Sequence, residues 1–194
     1  IEVIDGLKII ISTENTVYNL NCLSTEDYPN INLETVNNPI VLNSSILKEL
    51  FSQTLFAIST QESRPLLTGL NIRINGNVME CVTTDSYRLA KKTIILDADY
   101  GTYDIVVPGK NIQEFDKILT DEENVKINLF SNKLLFEYNG YLFQTSLLSG
   151  QYPNTSNLIP TDFEYILTTN LDNFYSAIDR AALLTQNKDK NLIN

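Results

Sequence analysis

The chain contains no histidine, two cysteines and only seven glycines among 194 residues. Without histidine it lacks the commonest general base and metal ligand near neutral pH, so any catalysis would rest on carboxylates, lysine, tyrosine or serine. Cys22 and Cys81 stand in strand-like alternation without metal-ligand spacing, which implies two buried free thiols rather than a disulfide. No apolar run approaches the ~18 to 20 residues of a membrane-spanning helix, and the first residues lack the basic-then-apolar order of a secretory signal, so a cytoplasmic, membrane-free protein is expected. Basic residues are also scarce: 14 Lys and Arg face 24 Asp and Glu, leaving a formal net charge of -10. That balance argues against tight binding to nucleic acid, whose affinity comes mainly from cations neutralising phosphates, but leaves loose contact through basic residues gathered on one face. Pro108-Gly109-Lys110 and Gly150-Gln151-Tyr152 lack the flanking glycines of a phosphate-cradling loop, and no nucleophile elbow occurs.

What is present suffices for a core: 43% of residues are hydrophobic, in a length that suits one or two domains. Three short strands come first, at Ile1 to Ile4, Leu7 to Ile11 and Val17 to Leu23, with Asp5-Gly6 as a hairpin turn. Asn37-Asn38-Pro39 reads as a linker. From Ile40 a strand leads into a helix capped by Asn43 or Ser44, whose apolar face is Leu47, Leu50, Phe51, Leu55 and Ile58. Strands at Leu67 to Asn75, Val78 to Thr83 and Tyr87 to Leu96 follow.

The same order then recurs. Tyr103 to Val107 is a strand, Pro108 to Asn111 a helix entry, and Ile112, Phe115, Ile118 and Leu119 a helical face. Three strands follow at Val125 to Phe130, Lys133 to Tyr138 and Tyr141 to Leu148, the last two joined by Asn139-Gly140. A third copy opens with a strand at Tyr165 to Leu167, a cap in Thr168-Thr169-Asn170, and a helix carrying Leu171, Phe174, Ile178, Ala181 and Leu184. Tyr-Pro-Asn occurs at both Tyr28 and Tyr152, so two strand-helix-three-strand units make one domain.

Chemistry concentrates in Cys81 to Lys92. Thr84-Asp85-Ser86 interrupts two extended runs, so Tyr87 and Arg88 leave a tight turn together. On pattern alone this is equally an ordinary hairpin corner or the polar lip of a small apolar pocket framed by Thr84, Tyr87, Arg88 and Leu89, suited to a peptide. In Gln61 to Leu67, Gln61 and Arg64 suit phosphates and Leu67 suits a pocket floor. Asp121-Glu122-Glu123 reads as a solvated loop. A β-rich enzyme with paired carboxylates on a metal is the alternative from another class.

Ser63 to Gly69, Thr83 to Ala90 and Gly150 to Ser156, in that order and spacing, resemble signatures of the bacterial sliding clamp family, the beta subunit of DNA polymerase III. The resemblance covers nearly the whole chain. It implies an α+β clamp fold with two strand-helix-three-strand units per domain, antiparallel sheets outside and helices lining a central hole. It places the C-terminal part of a first clamp domain at 1–36, a complete second domain at 37–158 and the beginning of a third at 159–194. It further implies a non-catalytic processivity factor without cofactor or metal, a homodimeric ring around duplex DNA when full length, and partners that include the polymerase III catalytic subunit, the clamp loader and other clamp-motif proteins. Carried over residue by residue, the partner-peptide pocket is Leu67, Thr84, Ser86, Tyr87, Arg88, Leu89, Pro153, Asn157 and Leu158. The DNA-facing set is Gln61, Arg64 and Lys110. Asn157 and Gly109 depart from the pattern, since basic residues are common at both places.

Overall fold

The computed structural model describes residues 1–4, 7–120 and 123–183, so the Asp5-Gly6 turn, Asp121, Glu122 and Leu184 lie outside the described residues. The chain divides into two units, Ile1–Tyr152 and Pro153–Asn194.

In the first unit the strands β1 (Glu2–Ile4), β2 (Lys8–Ser12) and β3 (Val17–Asn21) form an antiparallel sheet. The following stretch is fixed from outside: the amide of Val36 donates to Asn128 Oδ1 (2.9 Å), and Lys133 Nζ donates to the carbonyl of Asn32 (2.6 Å). Then come β4 (Ile40–Asn43), α1 (Ser44–Thr54), β5 (Gly69–Asn75), β6 (Val78–Thr84) and β7 (Leu89–Ile95). The order repeats with β8 (Thr102–Pro108), α2 (Gly109–Ile118), β9 (Asn124–Leu129), β10 (Lys133–Tyr138) and β11 (Tyr141–Ser146).

The two copies exchange their first strands. One sheet runs β7-β6-β5-β8 and the other β11-β10-β9-β4, every pair antiparallel. The sheets also meet where the amide of Leu148 donates to the carbonyl of Val106 (2.8 Å). Two-residue hairpin loops set the registers. Gly76 (φ 62°) opens the loop from Asn75 to Val78, and Asn139 (φ 44°) with Gly140 (φ 77°) joins Tyr138 to Tyr141, left-handed conformations that glycine and asparagine accept at least cost.

Both helices turn their apolar faces onto these sheets. Leu47, Leu50 and Phe51 of α1 and Ile112 and Phe115 of α2 join one buried cluster with Leu70, Ile72, Leu134 and Phe136. Each such side chain contributes roughly 1.5–3 kcal/mol by leaving water. Asn43 is the cap of α1, its Oδ1 accepting from the amide of Ser45 (2.9 Å). The helix passes at Leu55–Ala57 into a 3-10 turn, where Thr83 Oγ1 donates to the carbonyl of Thr54 (2.6 Å) and ties β6 to it.

Cys81 is buried on β6 and free, and burial, with Glu80 adding, pushes its thiol up to about 12. Cys22 is free and half-buried. At pH 8 an aromatic disulfide reagent should therefore titrate Cys22 in the native protein and both thiols in denaturant; rapid native reaction of Cys81 would contradict this burial.

In the second unit, α3 (Leu171–Ala182) begins at Asn170, whose Oδ1 accepts from the amide of Asn173 (3.1 Å). The strand expected at Tyr165 to Leu167 does not form: these residues are exposed and without regular structure. Apolar alternation makes a strand only beside a partner edge, and no described strand pairs with them. Among the described residues, no helix is long and apolar enough to cross a membrane.

Candidate functional site

Between β6 and β7 the chain reverses on hydrogen bonds made by its own polar side chains. Asp85 Oδ1 accepts from the amides of Tyr87 (2.9 Å) and Arg88 (3.0 Å), while Asp85 Oδ2 accepts from Arg88 Nε (2.9 Å). Thr84 Oγ1 donates to the carbonyl of Arg88 (2.7 Å) and accepts from the amide of Ser86 (3.1 Å). The amides of Tyr87 and then Arg88 hold the Asp85 carboxyl below its usual range, with the Arg88 guanidinium reinforcing them. That contribution is present above the ordinary carboxylate range and is lost as pH falls through the depressed value.

This arrangement starts β7 at Leu89 rather than at Tyr87. Tyr87 stands 95% exposed at the tip, an unusual place for a large aromatic in an ordinary corner. Arg88 is held between Asp85 and Phe56, its guanidinium carbon 5.9 Å from the ring centroid. Ser86 is left-handed (φ 80°), and its Oγ accepts from Arg64 Nη1 (3.0 Å).

Beside the turn lies a second, small apolar cluster: Leu67, Val82, Val106 and Tyr152 are buried, with Leu66, Leu89 and Leu148 against them. Leu67 belongs to a 3-10 turn, Pro65–Thr68, rather than to a strand; its carbonyl accepts from the amide of Ser59 (2.8 Å). Tyr152 closes the cluster, and its hydroxyl accepts from the buried amide of Thr84 (3.1 Å). Floor and lip, expected from Leu67 and from Thr84 to Leu89, are therefore joined through Tyr152. The sequence marks Tyr152 by the repeated Tyr-Pro-Asn and the Gly150 to Ser156 signature, but neither places it in the pocket.

The DNA-facing candidates lie nearby. Gln61 is exposed, its amide donating to Ser59 Oγ (3.1 Å), and the amide of Arg64 donates to the carbonyl of Gln61 (3.3 Å). Lys110, in the first turn of α2, is exposed with Glu62 3.8 Å away, an ion pair that water and salt screen. Arg88 and Lys110 share a groove of about 600 Å³ with Phe56, Ser59, Thr68 and Gln113. Gly109 beside Lys110 has no room for a side chain, because a Cβ there would meet Ile58 Cδ1 and the carbonyl oxygen of Thr68, both at 2.7 Å. A basic residue here would require α2 to move off Thr68.

The other three pocket candidates fall in the second unit. Asn154 Oδ1 accepts from the amide of Ser156 (3.0 Å) and the amide of Leu158 donates to the carbonyl of Thr155 (3.1 Å), which makes a turn of this stretch. Asn157 and Leu158 are exposed on it, and Pro153 precedes it. Among the described residues no three Cys, Asp or Glu side chains gather where they could hold a metal ion.

A family model described as "DNA polymerase III beta subunit, central domain" matches residues 41–154. The chain belongs to that family. A beta sliding clamp of Bacillus subtilis is 38% identical over 195 residues, covering 100% of this chain and 52% of that protein. One of Streptococcus pneumoniae is 36% identical over 184 residues, covering 94% and 49%. The crystal structure of the Bacillus subtilis DNA polymerase sliding clamp matches with a TM-score of 0.90 at 37% identity, covering 97% of this chain and 50% of that one. The chain thus spans about half the length of the sliding clamps it matches, and its α+β architecture of antiparallel sheets and helices is theirs.

Proposed function

We propose that the chain is part of a non-catalytic processivity factor of DNA polymerase III, a ring-shaped clamp that surrounds duplex DNA and docks partner proteins by a short peptide. In this reading residues 1–36, 37–158 and 159–194 belong to three successive clamp domains, and two full-length subunits close the ring. Topological retention suits a net charge of -10, because a ring needs only weak contacts to phosphates and an acidic exterior discourages static binding. Gln61, Arg64 and Lys110 supply such contacts, and they read no base sequence.

The observation that carries the docking role is the buried floor of Leu67, Val82, Val106 and Tyr152 beside a lip that displays Tyr87 and Arg88. Apolar anchors of a clamp-motif peptide would supply most of the affinity on such a floor, with a glutamine on the polar lip. A labelled peptide with one glutamine followed by leucine and phenylalanine should bind the full-length protein at micromolar Kd, about -8 kcal/mol. Leu67→Ala and Arg88→Ala should each weaken it by roughly thirtyfold or more, as truncation of a central anchor does. Absence of binding by the folded full-length protein would remove the docking role and leave the family assignment standing.

A further inference from the structure

Resting on the docking role above, we infer that Arg64 is a positioning residue for the partner-peptide lip, holding Ser86 in its left-handed conformation through the Nη1 to Oγ hydrogen bond. Serine pays a steric cost at φ 80° that glycine does not, because its Cβ crowds the neighbouring carbonyl. Such a conformation persists only where surrounding contacts over-determine it. Within the turn, Asp85 takes the amides of Tyr87 and Arg88, and Thr84 takes the amide of Ser86. The Ser86 side chain itself is gripped from another segment, by Arg64 Nη1 at 3.0 Å.

That segment has its own anchor in the floor. The amide of Leu67 donates to the carbonyl of Arg64 (3.0 Å), and Pro65 fixes the first position of the short 3-10 turn between them. Arg64 is therefore a strut from the floor residue Leu67 to the lip residue Ser86, and the spacing of floor and lip depends on it. A guanidinium carries five N–H donors in a planar fork. Ser86 takes one, so a phosphate can occupy others without dismantling the strut.

A rescue experiment tests this. Arg64→Ala should weaken the labelled glutamine-leucine-phenylalanine peptide by about five- to tenfold, the scale of one lost hydrogen bond plus unsupported backbone strain. Ser86→Gly also removes a hydroxyl of the pocket, so it sets its own baseline. Arg64→Ala added to Ser86→Gly should cost less than about twofold, because glycine occupies φ 80° without a strut. A full five- to tenfold loss on the Ser86→Gly background would show Arg64 acting elsewhere, by direct contact with peptide, and would overturn the inference; so would no loss from Arg64→Ala in the parent. If the parent binds no peptide, the docking role fails by itself and the strut is read from amide exchange at residues 85–88. Faster exchange in Arg64→Ala, slowed again in the double variant, supports the strut; unchanged exchange refutes it.

Discussion

Phe115→Ala should lower the unfolding free energy of the first unit by about 3–5 kcal/mol, a large part of the 5–15 kcal/mol that a domain of this kind has in total. Phe115 is the completely buried hub of an aromatic group contributed by both halves of the repeat's second copy. Its ring stacks on Phe136 at 4.2 Å between centroids, meets Tyr138 edge-on at 6.5 Å and leans on Phe143 at 5.4 Å. Truncation forfeits the transfer energy and leaves a cavity that neighbours from two different strands cannot both fill. The hub also aligns α2, since Ile112 and Phe115 are its two completely buried large side chains. Urea unfolding followed by circular dichroism reads the effect as a lower midpoint at similar slope. A loss under 1 kcal/mol would mean that the helix is seated by something other than this ring.

Tyr152→Ala should cost a similar amount, about 3–5 kcal/mol, and should abolish peptide docking with it. Tyr152 is 3% exposed and gives two separable contributions, a ring that closes the cluster over Leu67, Val82 and Val106 and a hydroxyl that satisfies the amide of Thr84. Burial raises the pKa of that phenol, while the Thr84 amide pulls the other way. Tyr152→Phe keeps the ring and orphans the buried N–H, a penalty of about 1–3 kcal/mol. Thermal melts and peptide titrations of both variants separate the two: the phenylalanine variant should retain docking at reduced stability. Equal stability of parent and phenylalanine variant would mean that the Thr84 amide has found another acceptor.

Elements written in local patterns were legible before any coordinates. The cap at Asn43, most of the helical faces of α1 and α2, and the Asn139-Gly140 hairpin each depend on residues a few positions apart and form where expected, although Leu55, Ile58 and Leu119 fall beyond the α-helical ends. The repeat was legible too, but not its exchange of first strands. Val41 pairs with Lys126 and Val106 with Asn71, and nothing in a strand's own alternation names so distant a partner. For the same reason Tyr165 to Leu167 looked like a strand and is not one. At the candidate site, Thr84 to Leu89 announced a tight turn through Asp85, yet the residue that joins lip to floor comes from Tyr152, 68 positions from Thr84. The Arg64 grip on Ser86 was hidden likewise, because an arginine in a polar loop carries no local sign of its acceptor.

The strand that leaves the Thr84 to Leu89 turn is also the outermost of its sheet. β7 pairs with β6 alone among the described strands, so one row of its backbone N–H and C=O groups faces outward, as a template on which another chain could add itself. Midway along that edge stand Lys91 and Lys92, held by Glu80 on one face and by Glu49 of α1 (2.7 Å) on the other. Antiparallel growth of β7 on its own copy, centred on these residues, would set like charges side by side while straining both ion pairs. The paired lysines thus act as gatekeepers against edge-to-edge aggregation, in a sheet whose inner strands are otherwise rich in the apolar, β-branched residues that assemble indiscriminately.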